Sequence, residues 1–196
     1  MNINDSIGIF DSGIGGATVL KEILKILPNE NYIYYSDSKN NPYGDKTDAQ
    51  ILEFCDKIMK YFIDKNCKAI VIACNTASAK CANILREKYP NKIIIAIEPA
   101  YKMVHDYSYN STTLVMATKG TIESEKFNNL YKKYNNDKTY LLACKGLAEI
   151  IENGYEDVSA QWIINELKNG EHIGMDEPEK LLQYKNSVLL FMSSKD

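Results

Sequence analysis

Short apolar runs alternate with longer amphipathic segments along most of the chain. The short runs predict β-strands at 6–10, 31–37, 68–73, 92–97, 112–117 and 139–144. Apolar residues at helical spacing predict helices at 17–27, 48–66, 78–89, 123–134 and 157–169. This alternation predicts an α/β fold with parallel sheets, in which helices cover both faces of nearly apolar strands.

The pattern falls into two α/β units, because it breaks near Glu98–Pro99 and then starts again. We therefore expect a first domain at 1–97 and a second at 98–196. The stretch from Glu171 onward holds one short apolar run, VLLFM at 188–192. The second domain is accordingly expected to be truncated or divergent from about residue 171.

Composition and charge argue against several classes of protein. A net charge of −3 gives no basic footprint for nucleic acid, and no apolar run approaches the roughly 20 residues of a membrane helix. The first residues lack the features of a signal peptide, so a soluble, cytoplasmic protein is expected. Five cysteines without a CxxC pair and only two histidines indicate neither a disulfide framework nor a metal site.

Polar clusters follow three of the predicted strands. They are Asp11-Ser12-Gly13, the segment from Ser36-Asp37 to Gly44, and Cys74-Asn75-Thr76. Ligands of open α/β sheets bind beyond the carboxyl ends of the strands. The sequence therefore predicts a site where these clusters converge.

Two interpretations of the role of Cys74 are open. Free cysteine is often a small buried hydrophobe, and Cys55, Cys67 and Cys81 are expected to be of that kind. Cys74 differs because a helix is predicted to begin just after it, where the helix dipole and free amides favour a thiolate and lower the pKa. Asn75 and Thr76 would then add donors for a substrate carboxylate.

The glycine-rich turn FDSGIGGAT (10–18) is neither a GxGxxG nor a Walker motif. Three interpretations are open: a tight turn with Asp11 as a local cap, a place where Asp11 and Ser12 act on a ligand, and a phosphate-binding turn at a helix N-terminus. The segment NNPYGDKT is a turn by composition, in which Tyr43 and the Gly44 amide are candidates for binding a carboxylate.

The second unit offers weaker candidates. Thr118 and Thr121 follow a strand and could donate to a substrate, although Thr121 could equally cap a helix. Cys144 also ends a strand, but Lys145-Gly146 rather than a polar cradle follows it. His105 is expected in a short polar loop and His172 on the surface, so neither is expected to be a catalyst.

Together the motifs resemble the glutamate racemase family. The resemblance covers about residues 5–170 and rests on DSGIGG, PYG and CNTASA in that order, with IGIFDSGIGGATVL, YYSDSKNNPYGDKT, EPA, ATKGTIES and LLACKGLAEIIENG around them. It implies two flavodoxin-like domains related by a pseudo-twofold axis, with the site between them. It also implies an isomerase that makes D-glutamate for peptidoglycan, and thereby for cell wall and cell shape.

The implied chemistry needs no cofactor and no metal. One cysteine from each domain faces one side of the α-carbon of glutamate, as thiolate or thiol, and donors around the carboxylate stabilise the developing charge. By motif position, Cys74 resembles the first cysteine and Asp11 the carboxylate that assists it. Glu152 stands where the CPxxVPxxE pattern places an acidic residue. The implied substrate contacts are Asp11, Ser12, Tyr43, Gly44, Asn75, Thr76, Thr118 and Thr121.

The chain departs from the family after the predicted helix at 157–169. No GCTH motif, which carries the second cysteine, occurs, and no strand, cysteine or histidine that matches the family's is expected from Glu171 to Asp196. The family's last helices also lack a counterpart, and the CPxxVP segment is reduced to CKGLAE. Three hypotheses about the function are open: an impaired racemase, an inactive racemase-like binding or regulatory protein, and a one-cysteine proton-transfer enzyme. Glutamate is the expected partner, and a homodimer is left open.

Overall fold

The computed structural model describes residues 4–107, 112–152, 171–173 and 188–191. The chain divides into two compact units, one ending at Glu98 and the other beginning at Pro99. None of the helices that the structure describes could span a lipid bilayer. The predicted helix at 157–169 lies outside the described residues.

The first unit is a four-stranded parallel sheet in the order β2-β1-β3-β4. Its strands are β1 (Ile7–Asp11), β2 (Tyr32–Ser36), β3 (Ala69–Ile72) and β4 (Ile93–Ala96). Its helices are α1 (Gly16–Ile26), α2 (Asp48–Asp64) and α3 (Asn75–Lys88), and a short 3₁₀ turn spans Tyr43–Asp45. This strand order is the flavodoxin-like one.

Both faces of the first sheet carry apolar side chains, as the sequence predicted. Phe10 and Ile72 pack with Phe62 of α2 on one face, while Ile9 packs toward Val19 of α1 on the other. Gly8 lets α2 come close, because a Cβ at Gly8 would lie 2.7 Å from the Phe62 ring. Cys55, Cys67 and Cys81, which the sequence predicted to be small buried hydrophobes, are confirmed as core residues.

The second unit contains a mixed sheet in the order β7-β6-β5-β8. Its strands are β5 (Thr113–Ala117), β6 (Thr139–Ala143), β7 (Glu171–Ile173) and β8 (Val188–Phe191). Its described helices are α4 (Tyr101–Tyr107), α5 (Lys119–Ile122), α6 (Glu125–Tyr134) and α7 (Leu147–Glu152). Tyr101 and Phe127 stack on Tyr131, with ring centroids 5.8 and 6.1 Å from that of Tyr131.

One sequence expectation is wrong in this unit. His105 lies in helix α4 and not in a polar loop, because Tyr101 anchors this segment to the aromatic cluster. The tail after Glu171 contributes two strands to this sheet: β8, the VLLF run, pairs in parallel with β5, and β7 pairs antiparallel with β6. An apolar run of four residues is enough to extend a sheet whose neighbouring strand offers unpaired backbone groups.

Candidate active site

Three polar clusters meet at the carboxyl edge of the first sheet, because β1 lies between β2 and β3. Asp11 ends β1 and pairs in register with Ser36 of β2. The Asp37 amide donates to the Asp11 carbonyl at 2.9 Å, and the Ala73 amide donates to the Phe10 carbonyl at 2.8 Å. The ladder therefore extends past the strands and holds the three segments side by side.

Cys74 lies between strand β3 and helix α3 and serves as the N-cap of that helix. The Ala77 amide donates to Cys74 Sγ at 3.4 Å. Ser12 Oγ lies 3.3 Å from the same sulfur atom. The side chain is only 5% exposed. The Cys74 thiol thus contacts polar groups from two segments, the glycine-rich turn and the start of helix α3.

The thiol is not activated in the way the sequence predicted. Burial, and then the negative charge of Asp11, raise the pKa of Cys74 to about 12, although the hydrogen bonds from Ser12 and the Ala77 amide lower it. The expectation that the helix N-terminus makes Cys74 unusually acidic is therefore wrong. Loss of water around the sulfur outweighs the helix amides, and Cys74 is a neutral thiol at neutral pH.

The glycine-rich turn wraps around the carboxylate of Asp11. Asp11 Oδ2 accepts hydrogen bonds from the amides of Gly13 at 3.3 Å and Gly16 at 3.0 Å. Gly16 must be small, because a Cβ there would lie 2.6 Å from Asp11 Cβ and 3.0 Å from Ala73 Cβ. Burial raises the pKa of Asp11, while these amides and the Cys74 thiol lower it. The turn thus binds a carboxylate of the chain itself.

The PYG segment places Tyr43 in the core. Its side chain is buried, and its hydroxyl donates to Asp37 Oδ2 at 2.6 Å. Burial and the bond to Asp37 raise the pKa of Tyr43 far above its ordinary value. Because that single proton is used on Asp37, Tyr43 has no second proton to donate to a ligand. The half-buried Gly44 is then the candidate in this segment that would act through its backbone amide.

Asn75 and Thr76 are the first two residues of helix α3. Asn75 is half-buried and Thr76 is buried. Both follow Cys74 directly, so their side chains belong to the same strand edge as the thiol. Their predicted role as substrate donors stays a prediction.

The second unit holds the remaining candidates. Thr118 is the N-cap of α5: its Oγ1 accepts from the Thr121 amide at 3.2 Å and lies 3.0 Å from Thr121 Oγ1. The alternative that Thr121 caps a helix is wrong, since Thr118 does so. The Cys144 amide donates to the Ala117 carbonyl at 2.8 Å, and its buried thiol donates to the Leu142 carbonyl at 3.6 Å. Glu152 ends α7, and its side chain lies outside the described residues.

One residue of the site went without a role in the sequence analysis. Asp37 was noted as part of a strand-end cluster, yet its buried carboxylate accepts from both Asn40 and Tyr43. The signal was present, since an acidic residue follows a strand and precedes PYG. Among the described residues no group of three or more His, Cys, Asp or Glu side chains could hold a metal ion.

Comparisons with known proteins point in one direction. No protein-family model matches the chain. It is 45% identical over 174 residues to a glutamate racemase of Clostridium perfringens, covering 88% of the chain and 66% of the relative. It is 40% identical over 185 residues to one of Clostridium botulinum, covering 94% and 67%. A solved glutamate racemase of Francisella tularensis, in complex with D-glutamate, matches with a TM-score of 0.72 and 30% identity, covering 98% of the chain and 77% of that protein. The chain thus spans about two thirds of the length of the curated relatives it matches.

Proposed function

The chain belongs to the glutamate racemase family, and we propose that it binds glutamate and transfers a proton at the α-carbon without a cofactor. The observation that carries this proposal is the single thiol at the sheet edge, with Ser12 Oγ 3.3 Å from Cys74 Sγ and the Asp11 charge acting on it. Cys74 exchanges the proton and Asp11 assists. The remaining polar groups that would bind glutamate are Ser12, Asn75, Thr76 and the Gly44 amide, with Tyr43, Thr118, Thr121 and Glu152 as further candidates.

The raised pKa of the thiol fits proton delivery. A carbanion beside a carboxylate is a far stronger base than a thiolate, so a thiol with a pKa of about 12 protonates it readily. Removing a proton from glutamate requires the thiolate instead. Because the Asp11 charge raises the pKa of Cys74, a cation beside Asp11 would lower it again. The ammonium group of glutamate is such a cation, so binding of the substrate itself would help Cys74 to ionise.

Racemisation is proposed to be impaired. Inversion needs an acid–base group on each face of the α-carbon, and the GCTH motif that carries the second cysteine does not occur in this sequence. Cys144 is a weak substitute, because its thiol donates to the carbonyl of Leu142. The chain would therefore exchange the α-proton on one face faster than it inverts the centre.

The wider role follows from the family. We propose that the chain acts in the cytoplasm on glutamate that is destined, as D-glutamate, for peptidoglycan. Its two units would correspond to racemase domains at 1–97 and 98–196, the second truncated or divergent from about residue 171. A homodimer is part of this proposal.

Proton exchange in deuterated water tests the proposal. Each enantiomer of glutamate is incubated with the protein, NMR follows loss of the α-proton signal, and chiral chromatography follows inversion. We expect exchange into one enantiomer with little inversion. Cys74→Ala should abolish the exchange, whereas Cys144→Ala, the matched control, should leave it unchanged.

Three outcomes would contradict parts of the proposal. Rapid inversion of both enantiomers would refute impairment. Exchange that survives in Cys74→Ala would refute the role of Cys74. Binding of glutamate without exchange of either enantiomer would instead favour the racemase-like binding protein.

A further inference from the structure

A buried carboxylate connects the three segments of the site, although it is not a candidate for contact with the reacting carbon. Asp37 follows strand β2, and its backbone amide donates to the carbonyl of Asp11 at 2.9 Å. Its side chain reaches in the other direction, to the PYG segment. We propose that Asp37 is a positioning residue, which holds the Tyr43–Gly44 turn against the Cys74 thiol.

The side chain of Asp37 acts only as an acceptor. Oδ2 accepts from the Tyr43 hydroxyl at 2.6 Å, and Asn40 Nδ2 donates to Oδ1 at 2.9 Å and to Oδ2 at 3.0 Å. The Asn40 amide donates in turn to the Asp37 carbonyl at 3.0 Å. Two donors that converge on two oxygens require a carboxylate, because an amide in this place would turn its NH₂ group toward one of them. Bonds to a charged acceptor are also stronger than neutral ones.

The other end of this network lies at the thiol. Tyr43 is buried in the same apolar cluster as Cys74 and Ala77, and its ring packs on Phe54 with centroids 5.8 Å apart. Negative charge on Cys74 raises the pKa of Tyr43, so the two side chains lie close enough to interact electrostatically. Since Gly44 is its chain neighbour, the bond from Tyr43 to Asp37 also sets where the Gly44 amide lies. Release of this bond would displace both the Tyr43 ring and the Gly44 amide.

This inference rests on the proposed function, because the turn is positioned for glutamate. It can still be tested separately, since the accessibility of Cys74 to an alkylating reagent does not depend on catalysis. The variants are Asp37→Asn, which keeps the shape and removes the charge, and Tyr43→Phe, which keeps the ring and removes the donor. Asp45→Asn is the matched control, because Asp45 is exposed at the end of the same turn.

Two readouts are measured under conditions where circular dichroism and urea unfolding show all variants folded. Iodoacetamide labelling of Cys74, followed by peptide mass spectrometry, should be about tenfold faster in Asp37→Asn and Tyr43→Phe than in the parent. For glutamate exchange, KM should rise about tenfold while kcat changes little, because the displaced amide binds substrate and does not transfer the proton. Asp45→Asn should match the parent in both.

The outcomes separate the two proposals. If the parent neither binds glutamate nor exchanges its proton, the proposed function fails, and faster labelling in both variants would still support the positioning of the turn by Asp37. If Asp37→Asn and Tyr43→Phe label at the parental rate, the positioning role is refuted. A fall in kcat at constant KM would also refute it, since Asp37 would then act on the reacting centre. If Asp37→Asn does not fold, Tyr43→Phe decides by the same criteria.

Discussion

Ser12 Oγ lies 3.3 Å from Cys74 Sγ, although the two residues are 62 positions apart in the sequence. Ser12 follows strand β1 and Cys74 follows strand β3. Parallel pairing of β1 with β3 brings the ends of the two strands together. This contact joins a side chain of the glycine-rich turn to a side chain of the CNT segment. It connects the candidate proton carrier to the loop that holds Asp11.

Loss of the Ser12 hydroxyl should make Cys74 less acidic. The hydrogen bond from Ser12 lowers the pKa of the thiol, so Ser12→Ala should raise it further above its ordinary value. The pH dependence of thiolate absorbance, compared with a Cys74→Ala background, measures the shift. Ser38→Ala is the control, because Ser38 is exposed and bonds to Ser36. An unchanged titration in Ser12→Ala would show that the contact carries no electrostatic weight.

Loss of the Asp11 charge should have the opposite effect on Cys74. The carboxylate raises the pKa of the thiol, so Asp11→Asn should lower it while it slows α-proton exchange. A larger thiolate fraction together with slower exchange would show that Asp11 assists the proton transfer itself. If Asp11 only controlled the ionised fraction of Cys74, exchange would become faster. The same absorbance titration and the exchange assay in deuterated water give the two numbers. If exchange instead rises with the thiolate fraction, Asp11 does not assist the reaction.

Cys74 should contribute stability that disappears in alkali. Its pKa is about 12 in the folded chain, against an ordinary value of 9.0 for cysteine. A group whose folded pKa is raised stabilises the fold below the unfolded pKa, and this contribution is lost as pH rises through the folded pKa. Between pH 9 and 12 the loss amounts to at most about 1.4 kcal/mol per pH unit for this one thiol. Urea unfolding at stepped pH should show a shallower alkaline decline for Cys74→Ala than for the parent, and equal slopes would contradict the burial of the neutral thiol.

Gly8→Ala should destabilise the first unit. The new Cβ would lie 2.7 Å from the Phe62 ring, and the α2 helix would have to move outward. Overpacking of this kind costs about 1–3 kcal/mol. Urea unfolding measures the loss, and the double variant Gly8→Ala with Phe62→Leu should recover part of it. Recovery is expected only if the clash with this ring is the cause, so a double variant less stable than Gly8→Ala would contradict the assignment.

The strand–helix alternation and the motif order were readable from the sequence, and the family membership that they indicated is confirmed. The edge where the three clusters meet was also predictable, because carboxyl ends of parallel strands share one edge. The ionisation state of Cys74 was not predictable from the sequence. A helix N-terminus is visible as a local pattern, but the burial that outweighs it comes from residues far away in the chain, such as Tyr43.

Two further features of the fold depend on distant partners in the same way. Helix α4 depends on Tyr101 stacking on Tyr131, thirty positions later in the chain, and strand β8 depends on its pairing with β5. Neither partner can be inferred from the local period. The cap on α5 is a different case, since Thr118 and Thr121 offered equal local chemistry and only the backbone path chooses between them.

Cys74 is both the N-cap of helix α3 and the carrier of the thiol. The residue that would give the most stable helix start is therefore not the residue that the proton transfer needs. Hydroxyl and amide side chains are the preferred caps, and sulfur is a weaker acceptor. Cys74→Ser should therefore give a better helix start, raising the free energy of unfolding by about 0.5 kcal/mol while proton exchange is lost. A directed-evolution experiment that selected for thermostability alone would then be expected to remove this cysteine early, and with it the chemistry that the fold supports.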